Sequence, residues 1–296
     1  MRVIPSLPSV SGRPSRTAQA TALGRALELS RDPAERIVSD PLAPFFLPPA
    51  TRALLAPLYA AGPVVRLAER TPPAAISTSA LCRHRFIDEH LLAALPDVEQ
   101  VLLLGAGYDA RAYRFANQLG DRTAYEVDLP AMARRKASVV AAHADLFGPA
   151  QVVRVETDFA RQSLADRLAD AAFPSGVATF VVWEGVSMYL AADAVRATLA
   201  ALREVCGPGS MIAMDCWQRA GERTPLGAAR RAGEQSLRLL GEPVRSALPA
   251  DRAPALLDQH GFEVADLAQA AAMTRRFATG GRRCDRGMYV LAARRR

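Results

Sequence analysis

Several acidic side chains stand where short apolar runs give out. Val101-Leu-Leu-Leu-Gly105-Ala-Gly107-Tyr108-Asp109 reads as a buried strand ending in a glycine turn. Gly105, Ala106 and Gly107 there let a ligand approach the backbone where a Cβ would obstruct it. Ala110 stands where a third glycine would complete a dinucleotide fingerprint. Tyr125-Glu-Val-Asp-Leu129-Pro130 follows, with Asp128 nearer the strand end and Glu126 second on the same face. An acid in that place accepts hydrogen bonds from the two hydroxyls of a ribose. The competing role for Asp128 is a helix N-cap ahead of Pro130. Together the two motifs point to a nucleoside-bearing cofactor, with NAD and S-adenosylmethionine both open.

Two later strand ends separate these. Glu156-Thr-Asp158-Phe159 offers a carboxylate for an adenine amino group and an aromatic to cover the ring. Val181-Val-Trp-Glu184-Gly185 places a carboxylate immediately before a glycine, suited to an ammonium or sulfonium group. A nicotinamide has no use for an anion there, whereas a cationic methionine portion does. Salt-bridge partner or helix cap is the plainer role for Glu184.

These residues need a sheet to hold them. Strand-like runs fall at 100–104, 124–127, 152–155, 177–183, 211–214, 262–264 and 288–292, separated by alanine-rich helical stretches such as 129–143, 164–171 and 192–205. Such alternation predicts an α/β fold, a Rossmann-like doubly wound seven-stranded sheet. The last two strands lack a helix-length spacer of the earlier kind, which predicts an antiparallel edge strand. Residues 1–16 read as a flexible arm, 17–95 as an N-terminal helical cap, and 96–296 as the core, with a helical insertion over 218–249.

Composition excludes other classes. The 296 residues carry a net charge of +7, but eight arginines and a single acid, Asp285, lie beyond position 274, so the preceding chain is neutral. That argues against a cationic groove for nucleic acid, although an arginine-tail nucleic-acid-binding protein is kept as an alternative from another class. No apolar run approaches the 18 or so residues of a membrane span, and residues 1–16 lack the apolar stretch of a secretory signal. The four cysteines, Cys82, Cys206, Cys216 and Cys284, show no metal spacing and read as thiols in a reducing compartment, the cytoplasm. No metal is expected.

Leu104–Arg114, Tyr125–Pro130 and Trp183–Leu190, together with Arg83-His-Arg-Phe-Ile-Asp88 and Asp40-Pro-Leu-Ala43, resemble the leucine carboxyl methyltransferase family. The similarity extends over about residues 17–215. It implies a class I S-adenosylmethionine-dependent O-methyltransferase of the bacterial, polyketide-tailoring branch. It further implies that Arg83 or Arg85 pairs with the methionine carboxylate and that Gly105 lines that portion. Asp128 would hold the ribose, Asp158 and Phe159 would bracket the adenine, and Glu184 would lie near the amino acid end. A second basic contact would come from near Arg16. The candidate cofactor residues are therefore Arg83, Arg85, Gly105, Ala106, Gly107, Asp128, Leu129, Asp158, Phe159 and Glu184.

Tyr108, Arg111 and Tyr189 are candidates to face a small-molecule acceptor, and Arg111 equally to organise the glycine turn by pairing with Asp109 or the second-strand acids. A carboxylate acceptor is already ionised at pH 7, whereas a hydroxyl profits from a base. None of His84, His90, His143 and His260 follows a strand end as a base facing the methyl would, so no catalytic residue is assigned. His84 reads rather as a packing or surface residue. An NAD(P)-dependent oxidoreductase is the alternative enzyme, disfavoured because Lys136 is the only lysine and forms no Tyr-x-x-x-Lys pair.

Overall fold

The computed structural model describes residues 15–69, 71, 74–158, 162–218, 235 and 243–296. Phe159, most of the arm and most of the 218–249 insertion lie outside the described residues.

The seven strands are β1 (Gln100–Leu104), β2 (Ala124–Asp128), β3 (Val152–Glu156), β4 (Thr179–Trp183), β5 (Met211–Trp217), β6 (Phe262–Gln269) and β7 (Met288–Arg295). They form one sheet in the order β3-β2-β1-β4-β5-β7-β6. Strands β1 to β5 pair in parallel, and β7 runs antiparallel to both β5 and β6. The protein thus has the expected α/β Rossmann-like fold. Its antiparallel strand lies one place in from the edge that β6 occupies. The order reverses beside β1, between β2 and β4, which opens a crevice at the carboxyl ends of these strands.

Burial on both faces explains why β1 is apolar throughout rather than alternating. Val101 and Leu103 point into one core with the cap, and Leu102 and Leu104 into the other. The cap comprises α1 (Arg16–Glu28), α2 (Pro49–Ala53), α3 (Leu55–Ala60), α4 (Gly62–Ala68) and α5 (Ala75–Ala94). Its Ala22, Ala26, Phe46, Leu81, Phe86 and Leu91 fill the first core. Phe86 is fully buried, so its truncation to Ala would cost about 3–5 kcal/mol. Phe46 and Leu55 likewise serve the cap's own packing, whereas Leu54 is 58% exposed.

Beyond β1 come α6 (Arg111–Arg114), α7 (Ala116–Leu119), α8 (Pro130–Ala142), α9 (Ala144–Phe147), α10 (Leu164–Asp170), α11 (Ala192–Val205), α12 (Ala253–Gln259) and α13 (Ala270–Phe277). The helix α13 corrects the expectation that β6 and β7 lack a helical spacer. Leu199 and Leu202 of α11 and Leu168 of α10 cover the second core, opposite the cap. The described end of the insertion, residues 243–249, contains no helix or strand. It crosses the ends of β4 and β5 instead: Arg245 N–H donates to Met188 O (2.8 Å) and Leu248 N–H to Trp217 O (2.9 Å). Among the described residues, no helix is long and apolar enough to cross a membrane.

Candidate cofactor site

The site begins at the turn after β1. Gly105 has φ of 65° and Gly107 of 43°, the left-handed region where a Cβ is disfavoured. A Cβ on Gly105 would also come within 2.3 Å of Val186 Cγ2, so side-chain absence here brings the β1 and β4 loops together. Asp128, at the end of β2, accepts from Gly107 N–H (2.5 Å) and from Leu129 N–H (2.7 Å). The N-cap of α8 is Leu129, without a side-chain bond, so Asp128 serves the glycine turn rather than capping that helix. Leu129 is 44% exposed beside it. A shallow indentation lies here, lined by Ala106, Gly107, Glu126, Asp128, Lys136 and Arg154.

Glu126, two residues back on the same face, is committed elsewhere. Its Oε1 accepts from Lys136 Nζ (2.7 Å), and both side chains are buried. Asp158 lies half-buried after β3, next to Thr157, whose N–H donates to Asp128 O (2.8 Å).

The second half of the site is a buried ionic cluster over the end of β4. The helix α5 packs against β4, β5 and β7, which carries Arg83 and His84 to Glu184. Arg83 Nε donates to Glu184 Oε1 (3.0 Å) and Arg83 Nη1 to Asp215 Oδ2 (2.9 Å). Arg83 Nη2 lies beside Gly185, where a Cβ would meet it at 2.9 Å. Arg111 Nη1 donates to Glu184 Oε2 (2.7 Å) and to Asp109, Arg111 Nε to Asp88 Oδ1 (2.6 Å), and Arg111 Nη2 to His84 O (2.9 Å). Arg114 Nη2 contacts both Asp88 oxygens and His84 Nε2 (3.1 Å). On the β5 side, Gly185 N–H donates to Asp215 Oδ1 (2.6 Å).

These contacts set the protonation states. Burial would raise the Glu184 carboxyl, but His84, Arg111 and Arg83 outweigh it and hold it well below the usual carboxylate range. Asp109 is held down to about 2, with Arg111 overcoming burial. Asp128 and Asp215 are instead pushed up, because burial outweighs their donors. Burial and then Arg111 lower the His84 imidazole. Ligand atoms of His84, Asp109 and Glu184 lie within 4.8 Å of one another, a spacing that a metal ion also uses. Here Arg111 donates to both acids, so a guanidinium fills that position.

The structure brings Arg83, Gly105, Ala106, Gly107, Asp128, Leu129 and Glu184 to one crevice. Arg85 is not among them: on the other face of α5 it pairs with Glu89 (2.6 Å), both about half exposed. Arg16 opens α1 as an exposed residue. Two of the acceptor-facing candidates lie within the packing. Tyr108 is 2% exposed, stacked on Phe46 at 5.1 Å, and Arg111 is 1% exposed and consumed by ion pairs. Arg111 pairs with Asp109, as one reading had it, but with no second-strand acid. Tyr189 remains half-buried on the turn after β4, packed against Met188, Trp217 and Met288.

The sequence alone assigns no role to Asp88, Arg114 and Asp215, and reads His84 as a packing or surface residue. The signal lay in spacing: Arg83, His84 and Asp88 share one helix, and Arg111 and Arg114 are one turn apart. Behind the turn, Arg25 Nε donates to buried Asp40 (2.8 Å) and Arg25 Nη2 to Tyr108 O (2.7 Å), fixing the cap to the glycine loop.

A glycine turn after β1, an acid after β2 and an ionic cluster after β4 on this sheet order define the class of Rossmann-like methyltransferases. Comparison with known proteins agrees. Residues 18–203 match the model of the leucine carboxyl methyltransferase family. A protein of Parafrankia sp. (strain EAN1pec), assigned by name only as an S-adenosyl-L-methionine-dependent methyltransferase, is 36% identical over 202 residues, 68% of this chain and 62% of its own. One of Streptomyces coelicolor with the same assignment is 34% identical over 206 residues, 69% of each chain. The match thus spans somewhat under two thirds of the first relative's length.

Among solved structures, a protein of Thermobifida fusca YX, titled a methyltransferase by inference, aligns over 100% of both chains with TM-score 0.59 and 14% identity. A DUF574 family protein of Streptomyces avermitilis aligns over 93% of this chain and 97% of its own, with TM-score 0.58 and 13% identity. These two share the fold. The chain belongs to the leucine carboxyl methyltransferase family, whose cofactor is S-adenosylmethionine. The nicotinamide alternative falls with that assignment.

Proposed function

We propose that the protein transfers the methyl group of S-adenosylmethionine to an oxygen of a small molecule, a carboxylate or hydroxyl on a polyketide-like natural product. The observation that carries this reading is the convergence of Gly105–Gly107, Asp128, Arg83 and Glu184 on one crevice in a chain of this family.

The donor set fits the cofactor. Asp128 offers carboxylate oxygens for ribose hydroxyls while its backbone donors hold it in place. Exposed Leu129 offers apolar cover beside it, and Asp158 would receive the adenine amino group, with Phe159 as its proposed cover. Arg83 keeps Nη2 for the amino acid carboxylate, its other nitrogens being tied to Glu184 and Asp215. The bound cofactor supplies an electrophilic methyl on sulfonium. The protein's own task is to hold the acceptor oxygen about 3 Å from that methyl and in line with the leaving sulfur.

Support for a carboxylate acceptor comes from His84. Both of its ring nitrogens are engaged, by Glu184 and Arg114, so the nearest imidazole is not free to take a proton. A carboxylate needs no base. Incubation with methyl-labelled cofactor and a panel of aromatic and aliphatic acids and phenols tests the reading. A labelled product that mild alkali hydrolyses to methanol identifies an ester. An alkali-stable product identifies an ether, and label on nitrogen or carbon alone refutes oxygen transfer.

A further inference from the structure

The charges of the buried cluster do not cancel. Three guanidinium groups, those of Arg83, Arg111 and Arg114, face the four carboxylates of Asp88, Asp109, Glu184 and Asp215. All seven side chains are nearly buried, between 1% and 11% exposed. His84 adds no charge. Its Nε2 faces Arg114 Nη2 at 3.1 Å, and a guanidinium has no acceptor, so Nε2 must carry the lone pair. The single imidazole proton then sits on Nδ1 and is donated to Glu184 (3.0 Å).

The neighbouring group leaves the sum unchanged: Asp128 and Glu126 bring two acids, Lys136 and Arg154 two cations. The adjoining Arg25–Asp40 pair is balanced. Among these described residues one negative charge is therefore in surplus.

We infer that this surplus carboxylate charge makes the net positive charge of the cofactor a determinant of binding, so that the protein prefers the sulfonium form over its thioether product. The inference rests on the cofactor reading above and deepens it. S-adenosylmethionine at pH 7 carries a sulfonium and an ammonium against one carboxylate, a net +1. S-adenosylhomocysteine has lost the sulfonium charge and is neutral overall. The two ligands otherwise offer the same adenosine, ammonium and carboxylate to the same residues. At an effective dielectric of about 20, a unit charge facing an opposite surplus charge is worth more than tenfold in affinity at any separation up to about 10 Å. Loss of that charge on methyl transfer would speed departure of the product.

The test is calorimetric titration of the whole protein with three ligands at pH 7.5: S-adenosylmethionine, S-adenosylhomocysteine, and sinefungin, which replaces the sulfonium by a protonated carbon-borne amine. The expected result is that the two cations bind at least tenfold more tightly than the thioether. In Glu184→Gln and Asp215→Asn, each folded as judged by circular dichroism, the gap narrows to about threefold or less. Should the thioether bind as tightly as the cations or more so, or should the gap persist in both variants, the charge-selectivity proposal is wrong while the cofactor reading stands. If none of the three ligands binds wild-type protein, the cofactor reading itself fails. The wild-type ligand series decides the matter even where a variant does not fold.

Discussion

Arg114 Nη2 approaches His84 Nε2 to 3.1 Å, and this contact holds the imidazole neutral with its proton directed at Glu184. It couples the first helix after the glycine turn to the acid at the end of β4 through a residue of the cap. The cluster around Glu184 is thereby a joint between three segments distant in sequence.

Acid sensitivity follows. Burial lowers the His84 pKa in the folded protein below the ordinary imidazole value near 6.5. A depressed folded pKa contributes stability that is complete above the unfolded value and lost as pH falls through and below it. Glu184, Asp88 and Asp109, also depressed, lose theirs below about pH 4.5. Denaturant midpoints measured from pH 8 to 5 should therefore fall for the wild type. In His84→Asn, which keeps a donor toward Glu184, they should fall less steeply over that range. Equal slopes would show that His84 does not titrate as described.

The approach of Gly105 to Val186 predicts a suppressible defect. An Ala at 105 meets Val186 Cγ2 at 2.3 Å and must hold φ near 65°. The left-handed backbone alone costs about 1–2 kcal/mol. Gly105→Ala should lower the melting temperature and cofactor affinity, and Gly105→Ala/Val186→Ala should recover part of both. No recovery would mean that the two loops do not touch.

Arg83 and Arg85 should behave differently. Arg83→Met leaves Glu184 and Asp215 short of a buried partner, at about 3–5 kcal/mol of stability. Arg83→Lys retains the charge but not the fork, and should bind S-adenosylmethionine at least tenfold more weakly than wild type. Arg85→Met should alter neither stability by more than about 0.5 kcal/mol nor affinity, its pair with Glu89 being solvent-exposed. A titration in which Arg85→Met, rather than Arg83→Lys, loses binding would reverse the assignment.

Much of the fold was legible because β1 and β4 are short, mainly apolar runs bounded by turn residues. The extent of β5 was not. Its run was read as ending at Met214, because Asp215 interrupts it; the strand continues to Trp217, pairing with β7. Asp215 is tolerated at 0% exposure because Arg83 and Gly185 N–H satisfy it. The edge strand β6 was cut short at Val264 for a related reason, since Glu263 and Asp266 on a half-exposed edge mask its pattern.

Within the site, the turn glycines and Asp128 were readable as local motifs. Asp88, Arg114 and Asp215 were not, because their roles depend on partners up to 132 residues away. Arg111 was legible only in half. Its pair with Asp109 is local, while that with Asp88 needs the folded cap and that with Glu184 the pairing of β1 with β4.

The most direct test of the central claim is a crystal structure of the protein with bound S-adenosylhomocysteine or sinefungin. The expected electron density places the ribose hydroxyls on the Asp128 carboxylate, the amino acid carboxylate on Arg83, and the backbone of Gly105–Gly107 against the ligand. Density for the nucleoside anywhere other than the carboxyl ends of β1 to β4 would contradict it.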